Sequence, residues 1–268
     1  MDNRITDLIR TGVFDSGIGG LSVVRELKRL MPGQQIIYFG DTARTPYGGK
    51  SRETLQKYAA ENIRFLREKG ADIVVIACHS AASALRDEIT GFDLPVFEVV
   101  SPSIAEAVAI SKKGRIGIMG TRATVSSGVY HREIAVTMPG AKVFSQACPL
   151  LVPLVEEGWF RARETRMIVK KYLRPLKNYQ IDTLVLACTH YPLIKKLIQE
   201  KAGKRITVVD PSEAVARSVA EWIERHQGEV RHDGKEPDRY FLSDLSPDTE
   251  KIVKYFMGKS IRLEKAVS

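Results

Sequence analysis

The 268-residue sequence holds only three cysteines, Cys78, Cys148 and Cys188. They form an odd, sparse set with no C-x-x-C pair, which argues against a disulfide framework or a zinc site. No apolar run approaches the roughly 20 residues needed to span a bilayer. The opening MDNRITDLIRTG carries charges where a signal peptide needs an apolar stretch. The expectation is a cytoplasmic protein with free thiols and no membrane attachment. The dinucleotide fingerprint G-x-G-x-x-G also fails, because Gly17 and Gly19 would need a third glycine where Ser22 stands. A Rossmann cofactor is disfavoured, and no metal or other cofactor is expected. Linkers of disordered composition and low-complexity tracts are missing as well.

What is present is the composition of a globular chain, 44% hydrophobic and 27% charged, long enough for one large domain or two of ordinary size. The formal charge of +9 is spread over presumptive helix faces, with RARETR and KKYLRPLK the nearest approach to a basic block. That pattern favours solvated faces and a field that steers an anionic small molecule over nucleic-acid contact.

One stretch organises the rest. ADIVVIACHSAAS, from Ala71, is echoed by DTLVLACTHYPL, from Asp182. Each has an Asp, a short run of aliphatic residues, Ala-Cys, two polar residues and the start of a helical pattern. Such a run reads as a strand buried on both faces of a parallel sheet, which puts each thiol at a strand's carboxyl end. Open α/β sheets bind their ligands there.

The neighbouring elements repeat too. A first strand at Gly12 to Asp15 leads into the glycine-rich turn DSGIGG and a helix with Leu21, Val24, Leu27 and Leu30 on one face. RIGIMGTRATVSSG repeats that plan from Arg115. QIIYFGD, at Gln35 to Asp41, corresponds to AKVFSQACP. A helix capped by Ser51 and running to Lys69 corresponds to ETRMIVKKYLRPL, and LPVFEVVSPSIAEAVA corresponds to RITVVDPSEAVARSVAEWIERH. Five elements in the same order indicate an internal duplication of βα units. The fold expected is α/β, two similar doubly wound lobes with mainly parallel sheets and a site in the cleft between them. The first lobe takes 1–100 plus 211–268, the second 101–210. The last segment, a polar turn (HQGEVRHDGKEP), a strand (RYFLSD) and a helix from Asp248 to Met257, has no counterpart and is expected to pack back on the first lobe.

Two facing thiols can do what one base cannot. A thiolate removes a proton from one face of a carbon acid while the opposite thiol delivers one to the other face, and the product is the mirror image. Asp15, His190 and Glu156 are the candidates to tune them. Asp15 also suits a helix cap, His190 a packed histidine beside Tyr191, and Glu156, next to Glu157, a solvated charge. Cys148, before Pro149 and outside the repeat position, reads as structural.

The strings VFDSGIGGLSV, YFGDTARTPYGGKS, IACHSAAS, ACPLLVPLVEEG and ACTHYPLI, in this order and over nearly the whole chain, resemble the glutamate racemases of the aspartate/glutamate racemase superfamily. The resemblance implies cofactor-independent interconversion of L- and D-glutamate that supplies peptidoglycan synthesis. It implies Cys78 and Cys188 as the acid/base pair, with Asp15, Glu156 and His190 assisting. It further implies that Ser16, Asp41, Pro46, Tyr47, Gly48, Ser80 and Thr189 hold the substrate. Members often pair, so a homodimer is an open expectation. One departure stands out: where the family usually has Asn then Thr after the first cysteine, this chain has His79 and Ser80. A charged imidazole at His79 would lower the pKa of Cys78 and attract a further carboxylate. Two alternatives stay open, a relative acting on another amino acid or a hydantoin, and a catalytically silent two-lobed binding protein.

Overall fold

A computed structural model describes residues 9–226, 236–246 and 249–266. The first round of elements is β1 (Thr11–Asp15), α1 (Leu21–Leu30), β2 (Ile36–Gly40), α2 (Arg52–Glu68), β3 (Ile73–Ile76), α3 (His79–Leu85), β4 (Val96–Glu98) and α4 (Val100–Ile110). The second is β5 (Arg115–Gly120), α5 (Arg122–Ser126), α6 (Val129–Thr137), β6 (Lys142–Ala147), α7 (Leu151–Glu156), α8 (Arg163–Asn178), β7 (Thr183–Ala187), α9 (Lys195–Ala202), β8 (Thr207–Val209) and α10 (Pro211–Arg225). The chain closes with β9 (Arg239–Leu242), α11 (Thr249–Met257) and β10 (Leu263–Lys265).

Two sheets result, ordered β10-β9-β2-β1-β3-β4 and β6-β5-β7-β8, and every strand pair in them is parallel. The inner order β2-β1-β3-β4 is the order β6-β5-β7-β8, so the duplication read from the strings is a duplication of topology. All residues of β1, β2, β3 and β7 are buried, as continuous apolar strands between helix layers must be. In the first sheet α1 packs on α10 and α11 while α2 packs on α3. The Ser51 hydroxyl accepts from the Thr54 N–H to start α2, and Gly70, at φ +96°, ends it where a side chain would be strained.

The structure differs from the sequence expectation at several ends. The string AASALRDEI predicts a helix over 81–89, whereas the helix after Cys78 begins at His79 and stops at Leu85, followed by a single 3-10 turn at Ile89–Gly91. The loop after β2 contains two 3-10 turns, Thr42–Arg44 and Tyr47–Gly49, joined by a cis Thr45–Pro46 bond. Strand β10, which pairs with β9, was not anticipated. Most of the expected polar turn, at 227–235, lies outside the described residues.

Candidate active site

Strand β3 ends two residues before Cys78 and β7 directly before Cys188, and both cysteines are buried, each about 5% exposed. They line one cavity of about 160 Å3 at the carboxyl ends of the two sheets. Of the other residues singled out in the sequence, Ser16, Pro46, Tyr47, Gly48, His79 and Ser80 line it from the first round, and Thr189 and His190 from the second. Ten of the thirteen residues singled out in the sequence therefore surround one space. The other three, Asp15, Asp41 and Glu156, stand behind it.

Asp15 is fully buried at the end of β1. Its carboxylate accepts from the Gly17 N–H at 3.1 Å and from the Thr189 hydroxyl at 3.1 Å, a bond that ties the first sheet to the second. Burial pushes its pKa above the ordinary range, opposed by the charge of His190 and by those hydrogen bonds. Asp41 receives hydrogen bonds from Tyr47, from Ser243 at 3.1 Å and from Arg44 at 2.6 Å. It fixes the Tyr47–Gly49 turn from outside the cavity. Burial and the Asp41 bond hold the Tyr47 phenol well above its usual pKa, so it remains a neutral donor. Gly48 allows that turn to touch the second lobe, since a Cβ there would stand 2.7 Å from Thr121 Cβ.

The two thiols have different company. At Cys78, burial first and the negative Asp15 second push the pKa up to about 12, against the Ala81 N–H and the Ser16 hydroxyl. At Cys188, the sulfur lies 3.8 Å from His190 Nδ1, while His190 Nε2 lies 3.2 Å from Glu156 Oε1. Burial opposes a charge on His190, but the hydrogen bonds and negative charge of Cys188 and Glu156 outweigh it and hold its pKa well above the histidine range. The Glu156 carboxylate reaches on to a separate, more open cavity of about 720 Å3 that contains neither thiol. Gly19 makes room for this arrangement, because a Cβ there would fall 2.5 Å from Thr189 Oγ1 and 2.7 Å from His190 Nδ1.

The surroundings of His79 do not favour a charged ring. The ring is 3% exposed and neither nitrogen has a hydrogen-bond partner among the described residues. Burial alone pushes its pKa down to about 3, so it stands neutral beside Cys78. It does not lower the thiol's pKa.

Sequence reasoning missed Thr121, Arg122, Pro149, Val152 and Pro153, all on the cavity wall. The duplication contained the signal for Thr121. It follows β5 as Ser16 follows β1, and its hydroxyl lies 2.9 Å from that of Ser80. Cys148 also reaches the wall, at the end of β6. Its thiol donates to the Gln146 carbonyl at 3.3 Å, and burial keeps it well above the usual thiol pKa. Among the described residues, no group of three or more His, Cys, Asp or Glu is arranged to hold a metal ion.

Two like-ordered parallel sheets that meet over a pair of buried thiols define a two-lobed α/β protein with a small-molecule-sized cavity at the strand ends. The family model described as Asp/Glu/Hydantoin racemase matches residues 19–219, and the chain belongs to that family. It is 41% identical over 267 residues to the glutamate racemase of Syntrophus aciditrophicus (strain SB), covering 97% of each chain. Among solved structures it resembles a glutamate racemase isoform of Bacillus anthracis, with a TM-score of 0.91 at 32% identity over 97% of each chain. It also resembles the glutamate racemase of Francisella tularensis in complex with D-glutamate, with a TM-score of 0.88 at 31% identity over 97% of each chain. No helix among the described residues is long and apolar enough to cross a membrane.

Proposed function

We propose that this protein interconverts L- and D-glutamate without a cofactor, with Cys78 and Cys188 as the two acid/base residues. The observation that carries the reading is the pair of thiols at equivalent strand ends of two like-ordered sheets, lining one cavity. The 41% identity to a glutamate racemase and the likeness to a D-glutamate complex favour glutamate over other amino acids and hydantoins. The proposed division of labour gives the first lobe residues 1–100 plus 211–268 and the second 101–210, supported by β9 and β10 extending the first sheet. Three free, buried cysteines fit a cytoplasmic setting.

In the proposed cycle Cys188, whose sulfur lies 3.8 Å from His190 Nδ1, acts first as the base, while Cys78 carries its proton. Cys188 takes the α-proton from one face of the substrate. The electron pair left on the α-carbon delocalises into the α-carboxylate, and Cys78 gives its proton to the opposite face. The enantiomer leaves with Cys188 as thiol and Cys78 as thiolate, so the reverse reaction uses the same groups with roles exchanged. The Cys78 side has no imidazolium of its own. The substrate ammonium supplies the missing positive charge, and Asp15 attracts that ammonium to the Cys78 side. Tyr47, Ser16, Ser80 and Thr189 provide neutral hydrogen-bonding groups around the substrate.

Incubation with L-glutamate in D2O without added cofactor tests the reading. D-glutamate carrying deuterium at the α-carbon is expected. A folded protein with reduced thiols that gives neither inversion nor exchange would refute it. A substrate panel giving turnover of another amino acid alone would move the assignment within the family.

A further inference from the structure

A second cavity, of about 370 Å3, lies against the catalytic one and shares a wall residue with it, Ser80. Its lining is cationic and hydroxylic. Lys50 and Arg132 have no carboxylate partner among the described residues. Lys50 stands 5.8 Å over the Tyr58 ring, and Arg132 donates to the Ser127 carbonyl at 2.6 Å. Arg52, the third cation, is already paired with Asp87 at 2.9 Å. The hydroxyl of Ser83 is buried, with the residue 6% exposed, and has no hydrogen-bond partner among the described residues. A buried hydroxyl without a partner is uncommon and marks a place where a ligand or water completes the bonding. No carboxylate among the described residues lines the cavity.

From this lining we infer an oxyanion site for a phosphate group, distinct from the substrate cavity and coupled to it through Ser80. A doubly charged tetrahedral anion matches two cations without a carboxylate partner among the described residues, and several hydroxyl donors, better than a planar monoanionic carboxylate does. The volume exceeds what a bare phosphate fills, so a phosphomonoester is the ligand class that fits. The coupling has a defined route. The Ser80 hydroxyl lies 2.9 Å from Thr121 Oγ1, and both residues line the catalytic cavity. An anion that draws the Ser80 hydroxyl towards itself removes a donor from the substrate and loosens the Ser80–Thr121 bridge between the two rounds of the fold.

The test is calorimetric titration of the full-length protein with inorganic phosphate and with phenyl phosphate, glutarate serving as the carboxylate control. One equivalent of phenyl phosphate should bind, more tightly than inorganic phosphate and far more tightly than glutarate. Arg132→Ala and Lys50→Ala should each weaken it about tenfold, and Ser83→Ala, which leaves the packing almost intact, a few-fold. No phosphate binding at millimolar concentration would overturn the site, as would binding that none of the three substitutions changes. Tighter binding of inorganic phosphate than of the ester would overturn the monoester assignment. The coupling rests on the proposed racemase reading and has its own readout. Saturating phenyl phosphate should raise KM for glutamate a few-fold with little change in kcat, and Arg132→Ala should abolish that rise. Binding without a KM change would refute the coupling alone. Binding by a protein without racemase activity would refute the function alone.

Discussion

The two halves of this molecule share a strand order and a cysteine at the same strand end, yet they give histidine opposite chemistry. In the first half the ring follows the thiol directly, as Cys78-His79-Ser80. In the second it comes one residue later, as Cys188-Thr189-His190. His79 begins α3 and turns into a wall where neither nitrogen finds a partner, so burial acts alone and the ring is neutral. His190 falls between Cys188 and Glu156, and two negative partners overcome the same burial. One residue of register decides whether a buried imidazole is a cation. The proposed mechanism therefore finds its imidazolium in the second half and takes the positive charge for the first from the substrate.

The comparison breaks most severely when either sulfur is removed. Cys78→Ala and Cys188→Ala should each lower kcat by about a thousandfold or more, since proton transfer by a placed group is worth 10²–10⁴. Chiral chromatography of the product measures it, and near-normal turnover in either variant would end the two-base account. Less severe is removal of the His190 imidazolium. His190→Gln should lower kcat/KM about a hundredfold, whereas His79→Gln should not lower it by more than about tenfold. In the wild type kcat/KM should fall as pH rises through the elevated His190 pKa, and that limb should vanish in His190→Gln.

The halves also differ in how they respond to acid. His79 is depressed to about 3 in the folded state, so the stability it contributes is present above the unfolded pKa near 6.5 and is lost as pH falls towards 3. At about 1.4 kcal/mol per unit, roughly 2 kcal/mol should disappear between pH 6.5 and 5. Urea unfolding of wild type and His79→Asn at those two pH values measures the difference, and equal acid losses in both proteins would contradict the burial argument. His190 works in the other direction. Its contribution is present below the unfolded pKa and lost as pH rises through its raised value. The smallest effect expected is from Glu156→Gln, which keeps the hydrogen bond to His190 but removes its charge, and should cost a few-fold in kcat/KM.

Much of this was legible in the strings. Strands buried on both faces leave unbroken aliphatic runs, which is why IVVI and TLVLA marked the two thiols as equivalents. Strand β10 was not legible, because Leu-Glu-Lys is a half-exposed edge with no apolar run to announce it. Helix α7 was hidden by Pro149 and Pro153, although a proline within its first turn is compatible with a helix. At the site, spacing along the chain found the thiols and their second-half histidine. It did not find the charge state of His79, which depends on which groups surround the ring in three dimensions. Nor did it find Thr121 or Arg122, whose placement opposite Ser80 and Tyr47 comes from the meeting of the two sheets.

The central claim is that the Cys188 half holds a charged histidine and the Cys78 half a neutral one. Ultraviolet thiolate absorbance near neutral pH, compared among wild type, Cys78→Ala and Cys188→Ala, tests it most directly. Cys148 and Cys78 are held as thiols by burial, so the account predicts one thiolate signal that survives in Cys78→Ala and disappears in Cys188→Ala. A signal that disappears in Cys78→Ala and survives in Cys188→Ala would contradict it.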